Sequence, residues 1–143
     1  MQWGASVLDE IKRVLELECD SVDFPILGSR SVINYVEKLA AKAEVAGWWI
    51  CGELVGFVAY YANDYTTKCA FVSMLWVSAS QRQRGVGSVL LRHVVEVSKA
   101  RGFASIRLEV SRHNTAASGF YASRGFRVVR ESAEHAEMLL PID

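Results

Sequence analysis

The stretch QRQRGVGSVLLRH, residues 81–93, sets two glycines one residue apart behind basic and amide side chains, then turns apolar. Upstream, KCAFVSMLWV (68–77) is nearly all apolar and rich in β-branched and aromatic residues, which predicts a central strand covered on both faces. Downstream, Val86, Val89, Leu90, His93, Val94 and Val97 recur at helical spacing to about Arg101, and Gly102 ends the run. The glycine segment is thus read as a strand-to-helix junction. The first turn of a helix has backbone N–H groups without intrahelical acceptors, and its dipole adds positive potential. Bare positions let an anion approach that backbone, and Arg82 and Arg84 add charge that does not titrate. Glycines here either turn the chain or cradle a phosphate; a pyrophosphate fits the second reading.

Two familiar glycine patterns fail. A dinucleotide-binding fingerprint needs its third glycine at position 90, which is Leu90, and glycines directly after the strand, where residues 78–84 intervene. Glu109 lies where a ribose-binding acid is expected, but inside a strand. No Gly-Lys-Ser/Thr follows, so the segment is not a P-loop.

Working outward, Val7, Leu8, Ile11, Val14, Leu15 and Glu18 mark a helix over 5–18, and CDSVDFPILGSRS is broken by Pro25 and Gly28 into a loop. Ser31 is placed as the cap of a second helix running to about Ala46, with Gly47 ending it. WWICGELVGFVAYYAND then reads as two strands joined through Gly52-Glu53. FASIRLEV is a strand with Ile106, Leu108 and Val110 on one face and Arg107 and Glu109 on the other. Asn114 or Thr115 caps a short helix ending at Gly125, and FRVVRE and AEMLLPI complete the chain as strands. The order is αα, ββ, βα, βα, ββ: a mixed α/β fold in one domain, 1–143, with a βαβ unit over 70–110.

The 143 residues are 51% hydrophobic and 22% charged with formal net charge +0, the profile of a globular chain without the broad basic footprint of a nucleic-acid binder. No apolar run approaches the ~20 residues that span a bilayer, and MQWGASVLDEIKRVLELE lacks the pattern of a signal peptide. Cys19, Cys51 and Cys69 form neither a CxxC pair nor an even framework, and the histidines are scattered. The expectation is buried reduced thiols, no metal, no membrane and no nucleic acid, in a cytoplasmic protein.

The second diagnostic stretch is LEVSRHNTAASGFYASRGF, residues 108–126. Arg82, Gly85 and Gly87 match an Arg/Gln-x-x-Gly-x-Gly/Ala pattern, and Asn114, Ala117, Tyr121, Gly125 and Phe126 match Asn-x-x-Ala, then Tyr, then Gly-Phe. In this order and spacing the chain resembles the GCN5-related N-acetyltransferase (GNAT) family, well over about 48–140. The resemblance implies a GNAT-like acyl-CoA N-acyltransferase fold: a central mixed twisted sheet of about six strands, four flanking helices, and two parallel strands splayed at a cofactor cleft. It implies acetyl-CoA as acyl donor, with Leu75, Trp76 and Val77 meeting the pantetheine and thioester. Arg82, Gln83, Arg84, Gly85, Val86, Gly87 and Ser88 would hold the pyrophosphate. Asn114, Ala117, Phe120 and Tyr121 would flank the cofactor on its far side.

Acetyl transfer needs a neutral amine, a polarised carbonyl and a protonated leaving thiolate. Backbone N–H groups at 75–77 are expected to stabilise the oxyanion, a contribution of ~3 kcal/mol in comparable sites. Tyr121 is read either as the general acid that protonates the sulfur or as a core residue; the motif match favours the acid. Many relatives place a Glu near position 73, where this chain has Ser73, and no carboxylate occurs between Lys68 and Arg107. The candidate bases are Glu109, otherwise a strand carboxylate anchoring a loop, and Asp64 on the acceptor side, with solvent as a third route. His113 reads as a loop residue and His93 as a core histidine. Direct attack in a ternary complex is expected over an acyl-cysteine, because Cys51 and Cys69 lack activating neighbours.

For the acceptor, DSVDFPILGSR and YYANDYTT are the expected contributors: Asp20, Asp23 and Asp64 for a cationic amine, Tyr60, Tyr61 and Tyr65 for a flat or sugar-like one. The acceptor is a small-molecule or peptide amine. A non-catalytic acyl-CoA-binding sensor on the same fold is the alternative. The family begins with a strand, for which MQWGAS is too short; either the sheet lacks it or another subunit edges it, giving a monomer or a homodimer.

Overall fold

The computed structural model describes residues 5–18 and 29–142. Of the expected loop, residues 19–28, with Cys19, Asp20, Asp23, Pro25 and Gly28, lie outside the described residues, as do residues 1–4, and its last three residues belong to the second helix. Elements run α1 (Ala5–Glu18), α2 (Ser29–Lys42), β1 (Glu44–Ile50), β2 (Glu53–Tyr61), β3 (Cys69–Val77), a 3₁₀ turn (Ala79–Gln81), α3 (Val86–Ala100), β4 (Ser105–Ser111), α4 (Thr115–Ser123), β5 (Arg127–Glu131) and β6 (His135–Pro141). The strands form one six-stranded mixed sheet in the order β1-β2-β3-β4-β6-β5. Among the described residues four α-helices and six strands appear in the expected order.

Three boundaries moved. The second helix begins at Ser29, so Ser31 lies inside it and is not its cap. The second helix stops at Lys42, not Ala46, although KLAAKAEVA is rich in helix formers. Glu44–Ile50 is taken instead by an antiparallel ladder with β2, in which Val45 faces Ala59 and Gly47 faces Phe57. Ladder pairing and burial outweigh a helix propensity worth tenths of a kcal/mol per residue. The hairpin turn is Cys51-Gly52, since Ile50 pairs with Glu53. Cys51 sits at φ 50 and is exposed, so the expectation of a buried thiol fails there. A turn residue has no core to enter.

The chain divides into two compact units, Met1–Tyr60 with Met74–Arg92 and Tyr61–Ser73 with His93–Asp143. In the first, Ile11, Val14 and Leu15 of α1 and Leu39 of α2 pack with Val45, Leu54, Phe57, Ala59 and Trp76 of the strands. The 3–4 spacing in α1 buries one helical stripe, and each fully buried Leu or Ile contributes about 2 kcal/mol. β2 is the strand buried on both faces, from Leu54 to Tyr60, whereas β3 alternates, with Ala70, Val72 and Trp76 buried. In the second unit the parallel ladder joins Cys69–Val72 of β3 to Ser105–Leu108 of β4, leaving 73–77 outside it. β4 continues antiparallel against β6, which carries β5. As expected, Ile106, Leu108 and Val110 are buried and Glu109 is exposed.

Candidate functional site

The glycine segment is built between two fixed ends in the first unit. At the end of β3, the Ser78 N–H donates to the Val55 carbonyl at 2.8 Å. The 3₁₀ turn follows, and Arg82 Nε donates back to the Val77 carbonyl at 3.1 Å, tying the loop to its strand. Gln83 and Gly85 then adopt left-handed backbone, at φ 64 and 87. A Cβ on Gly85 would meet no atom within 4 Å, so conformation, not crowding by the chain, calls for glycine. The α3 helix opens with the Val89 N–H donating to the Gly85 carbonyl at 3.1 Å, so the N–H groups of Val86 and Gly87 precede the first helical bond.

No acidic residue occupies this first turn, and Arg82, Gln83, Arg84 and Gly85 are exposed. The chemistry is that of an anion cradle: amides, a helix dipole and two arginines. Leu75 and Val77 are half-buried, while the Trp76 indole is buried against Phe57 at 5.9 Å between ring centroids. Trp76 therefore offers a ligand its backbone and not its ring.

The Asn-to-Phe stretch is built within the second unit. Asn114 is the N-cap of α4, its Oδ1 accepting from the Ala117 N–H at 3.1 Å, which accounts structurally for both residues. The helix ends in a Schellman motif: the Phe126 N–H donates to the Tyr121 carbonyl and the Gly125 N–H to the Ala122 carbonyl, each at 3.1 Å, with Gly125 at φ 100. The same turn brings the Phe126 ring edge-on to Tyr121 at 5.6 Å, and Phe120 packs on Tyr121 at 5.4 Å. Tyr121 is only 8% exposed. Burial holds its hydroxyl pKa well above the ordinary 10.0, so it carries its proton throughout the neutral range.

The carboxylates have other engagements. Asp64 Oδ1 accepts from the Thr66 N–H at 3.1 Å and the Thr67 N–H at 3.2 Å, closing the turn before β3. Its pKa is lowered, first by the backbone N–H of Thr67 and then by the Thr67 side chain. Glu109 is exposed in a groove of about 190 Å³ with Arg130, Glu131, Ser132, His135 and Glu137. It faces Glu137 directly across the β4–β6 ladder. Ser73 and His93 are half-buried, and His113 is exposed in the turn after β4. Among the described residues no group of three His, Cys, Asp or Glu could hold a metal ion.

Of the tyrosines expected on the acceptor side, Tyr60 is buried, Tyr61 stacks on Phe71 at 6.4 Å, and exposed Tyr65 meets Phe103 edge-on at 5.1 Å. Arg107, read from the sequence only as a strand's outer face, lies over Phe71, the ring on which Tyr61 stacks, its guanidinium 4.5 Å from the Phe71 centroid. Gly56 was also missed. Its signal was a glycine in the interior of ELVGFVAY, which marks a close approach.

The acetyltransferase (GNAT) family model matches residues 11–126, and the chain belongs to that family. An uncharacterized N-acetyltransferase of Archaeoglobus fulgidus is 32% identical over 127 residues, covering 84% of this chain and 86% of that protein. An uncharacterized N-acetyltransferase of Methanocaldococcus jannaschii is 31% identical over 96 residues, 62% of this chain; the chain spans only 42% of that relative's length. The PaiA N-acetyltransferase of Thermoplasma acidophilum, solved in complex with coenzyme A, shares the fold at a TM-score of 0.76 with 16% identity, covering 95% of this chain and 93% of that one.

Proposed function

We propose that this chain, acting as one domain over 1–143, is an acetyl-CoA-dependent N-acetyltransferase that transfers the acetyl group to a primary amine by direct attack in a ternary complex. The observation that carries the proposal is the left-handed loop at Gln83 and Gly85, which opens α3 onto exposed amides flanked by two arginines. That donor set suits a diphosphate ester. In this reading residues 82–88 hold the pyrophosphate. The backbone of 75–77, which lies outside the β3–β4 ladder, receives the pantetheine and polarises the thioester carbonyl.

Tyr121 serves as the general acid. A phenol is a weaker acid than a thiol, so its hydroxyl acts by a hydrogen bond that strengthens as charge builds on sulfur, the proton following as the bond to carbon breaks. Phe120, Ala117 and Asn114 fix the helix from which it acts. Glu109 and Asp64 are the carboxylates available as base. Asp64 is the poorer of the two, being engaged by Thr66 and Thr67 with a lowered pKa. Water remains the third route for the amine proton.

The same commitment of Asp64 favours a second reading, a non-catalytic acyl-CoA sensor. Calorimetric titration with acetyl-CoA, followed by a thiol-release screen over small amines and peptide N-termini, separates the two. Binding with turnover supports the enzyme, binding with no turnover on any amine supports the sensor, and no binding sinks both.

A further inference from the structure

Gly56 lies in the middle of β2, where a glycine forfeits packing and costs chain entropy. No left-handed φ accounts for it. Its Cβ direction does: a Cβ there would stand 2.9 Å from Val86 Cγ1, 3.2 Å from the Trp76 carbonyl oxygen and 3.3 Å from Leu90 Cδ1. Real Cβ atoms essentially never approach closer than 3.0 Å, so a side chain forces something to move. The neighbours are poorly placed to give way. Val86 is 7% exposed and β-branched on a helix, which leaves it one favoured rotamer; Leu90 is fully buried; the Trp76 atom is backbone.

Val86 is the first residue of α3 and Trp76 lies one residue before the end of β3. The two elements that bracket the anion loop thus rest on the same bare Cα. We infer that Gly56 is a positioning residue for cofactor binding: its missing side chain sets how closely the first turn of α3 approaches β2, and so the aim of the amides at 83–88. The inference rests on the reading that this loop holds the diphosphate of coenzyme A.

The test is calorimetric titration with coenzyme A of the wild type, Gly56→Ala, Val86→Ala and the double variant, with thermal midpoints recorded in parallel. In the wild-type background Gly56→Ala should weaken binding about tenfold, the scale expected when a sub-ångström shift misaligns a binding constellation. In the Val86→Ala background, where the 2.9 Å contact is gone, the same substitution should cost less than about twofold. A merely structural glycine makes the two losses add, and additive losses overturn the inference, as does a Gly56→Ala protein with wild-type affinity. If Gly56→Ala does not fold, the double variant against Val86→Ala decides: equal affinity supports the inference, whereas tenfold weaker binding or an unfolded double variant overturns it. A wild type that does not bind coenzyme A overturns the reading of the loop, not the role of Gly56.

Discussion

Phe126 holds Tyr121 twice: its N–H donates to the Tyr121 carbonyl at 3.1 Å, and its ring meets the tyrosine ring edge-on at 5.6 Å. The chain reversal that ends α4 therefore also clamps the side chain proposed as general acid. Tyr121→Phe keeps the ring packing and removes only the hydroxyl. Turnover should fall tenfold or more, a modest general-acid contribution, with coenzyme A affinity within about twofold. Steady-state rates and titration calorimetry check this; equal losses in both, or none, would make the tyrosine structural. Because burial raises the hydroxyl pKa above 10.0, the wild-type rate should show no alkaline limb from this group below pH 10.0.

Gly125 stands at φ 100, and a Cβ there would lie 3.1 Å from Leu140 Cδ1. Gly125→Ala should cost about 1–2 kcal/mol from backbone conformation alone. For a chain of this size that lowers the melting midpoint by about 3–8 °C, readable by calorimetry. An unchanged midpoint would mean the Schellman turn relaxes without cost.

Gly87 lies in the first turn of α3. Valine there is a better helix former than glycine, so Gly87→Val should not lower the melting midpoint. It should still weaken coenzyme A binding tenfold or more, by placing a branched side chain where the diphosphate must approach the backbone. Normal affinity would move the diphosphate elsewhere.

Asp64 has a folded pKa below the ordinary 3.8 because the Thr67 backbone N–H and side chain favour its charged form. A carboxyl depressed by folding contributes stability that is fully present above its unfolded pKa and lost as pH falls through the folded value. The difference in melting midpoint between wild type and Asp64→Ala should be constant from about pH 5 upward and shrink below about pH 4. Asp64→Asn should lose less than Asp64→Ala, since its amide oxygen still accepts from Thr66 and Thr67. A difference that grows on acidification contradicts the assigned cause.

Much of this was legible because the deciding signals were local. The sequence narrows the cap of α4 to Asn114 or Thr115, of which Asn114 takes it, and Gly102 and Gly125 mark helix ends, as residues whose own side chains, or lack of them, settle the local backbone. Periodicity separated helices from strands wherever one face alone was buried. What escaped depends on residues distant in sequence. KLAAKAEVA reads as helix until β2 claims Glu44–Ile50 as its ladder partner. Gly56 looks like a weak strand residue until Val86 and Leu90 arrive over it. Asp64 passes for a free carboxylate because the threonines that occupy it look, in sequence, like ordinary loop residues.

The parallel ladder between Cys69–Val72 and Ser105–Leu108 also dictates an order of events during synthesis. A nascent chain that has emerged only through Tyr61 already holds both strands of the β1–β2 hairpin, whose turn needs two residues. β3 must wait for the whole of α3 and for residue 108 before its far edge finds a partner. Until β4 is delivered that edge of β3 stays unpaired, and an unpaired strand edge is a template for pairing with another chain.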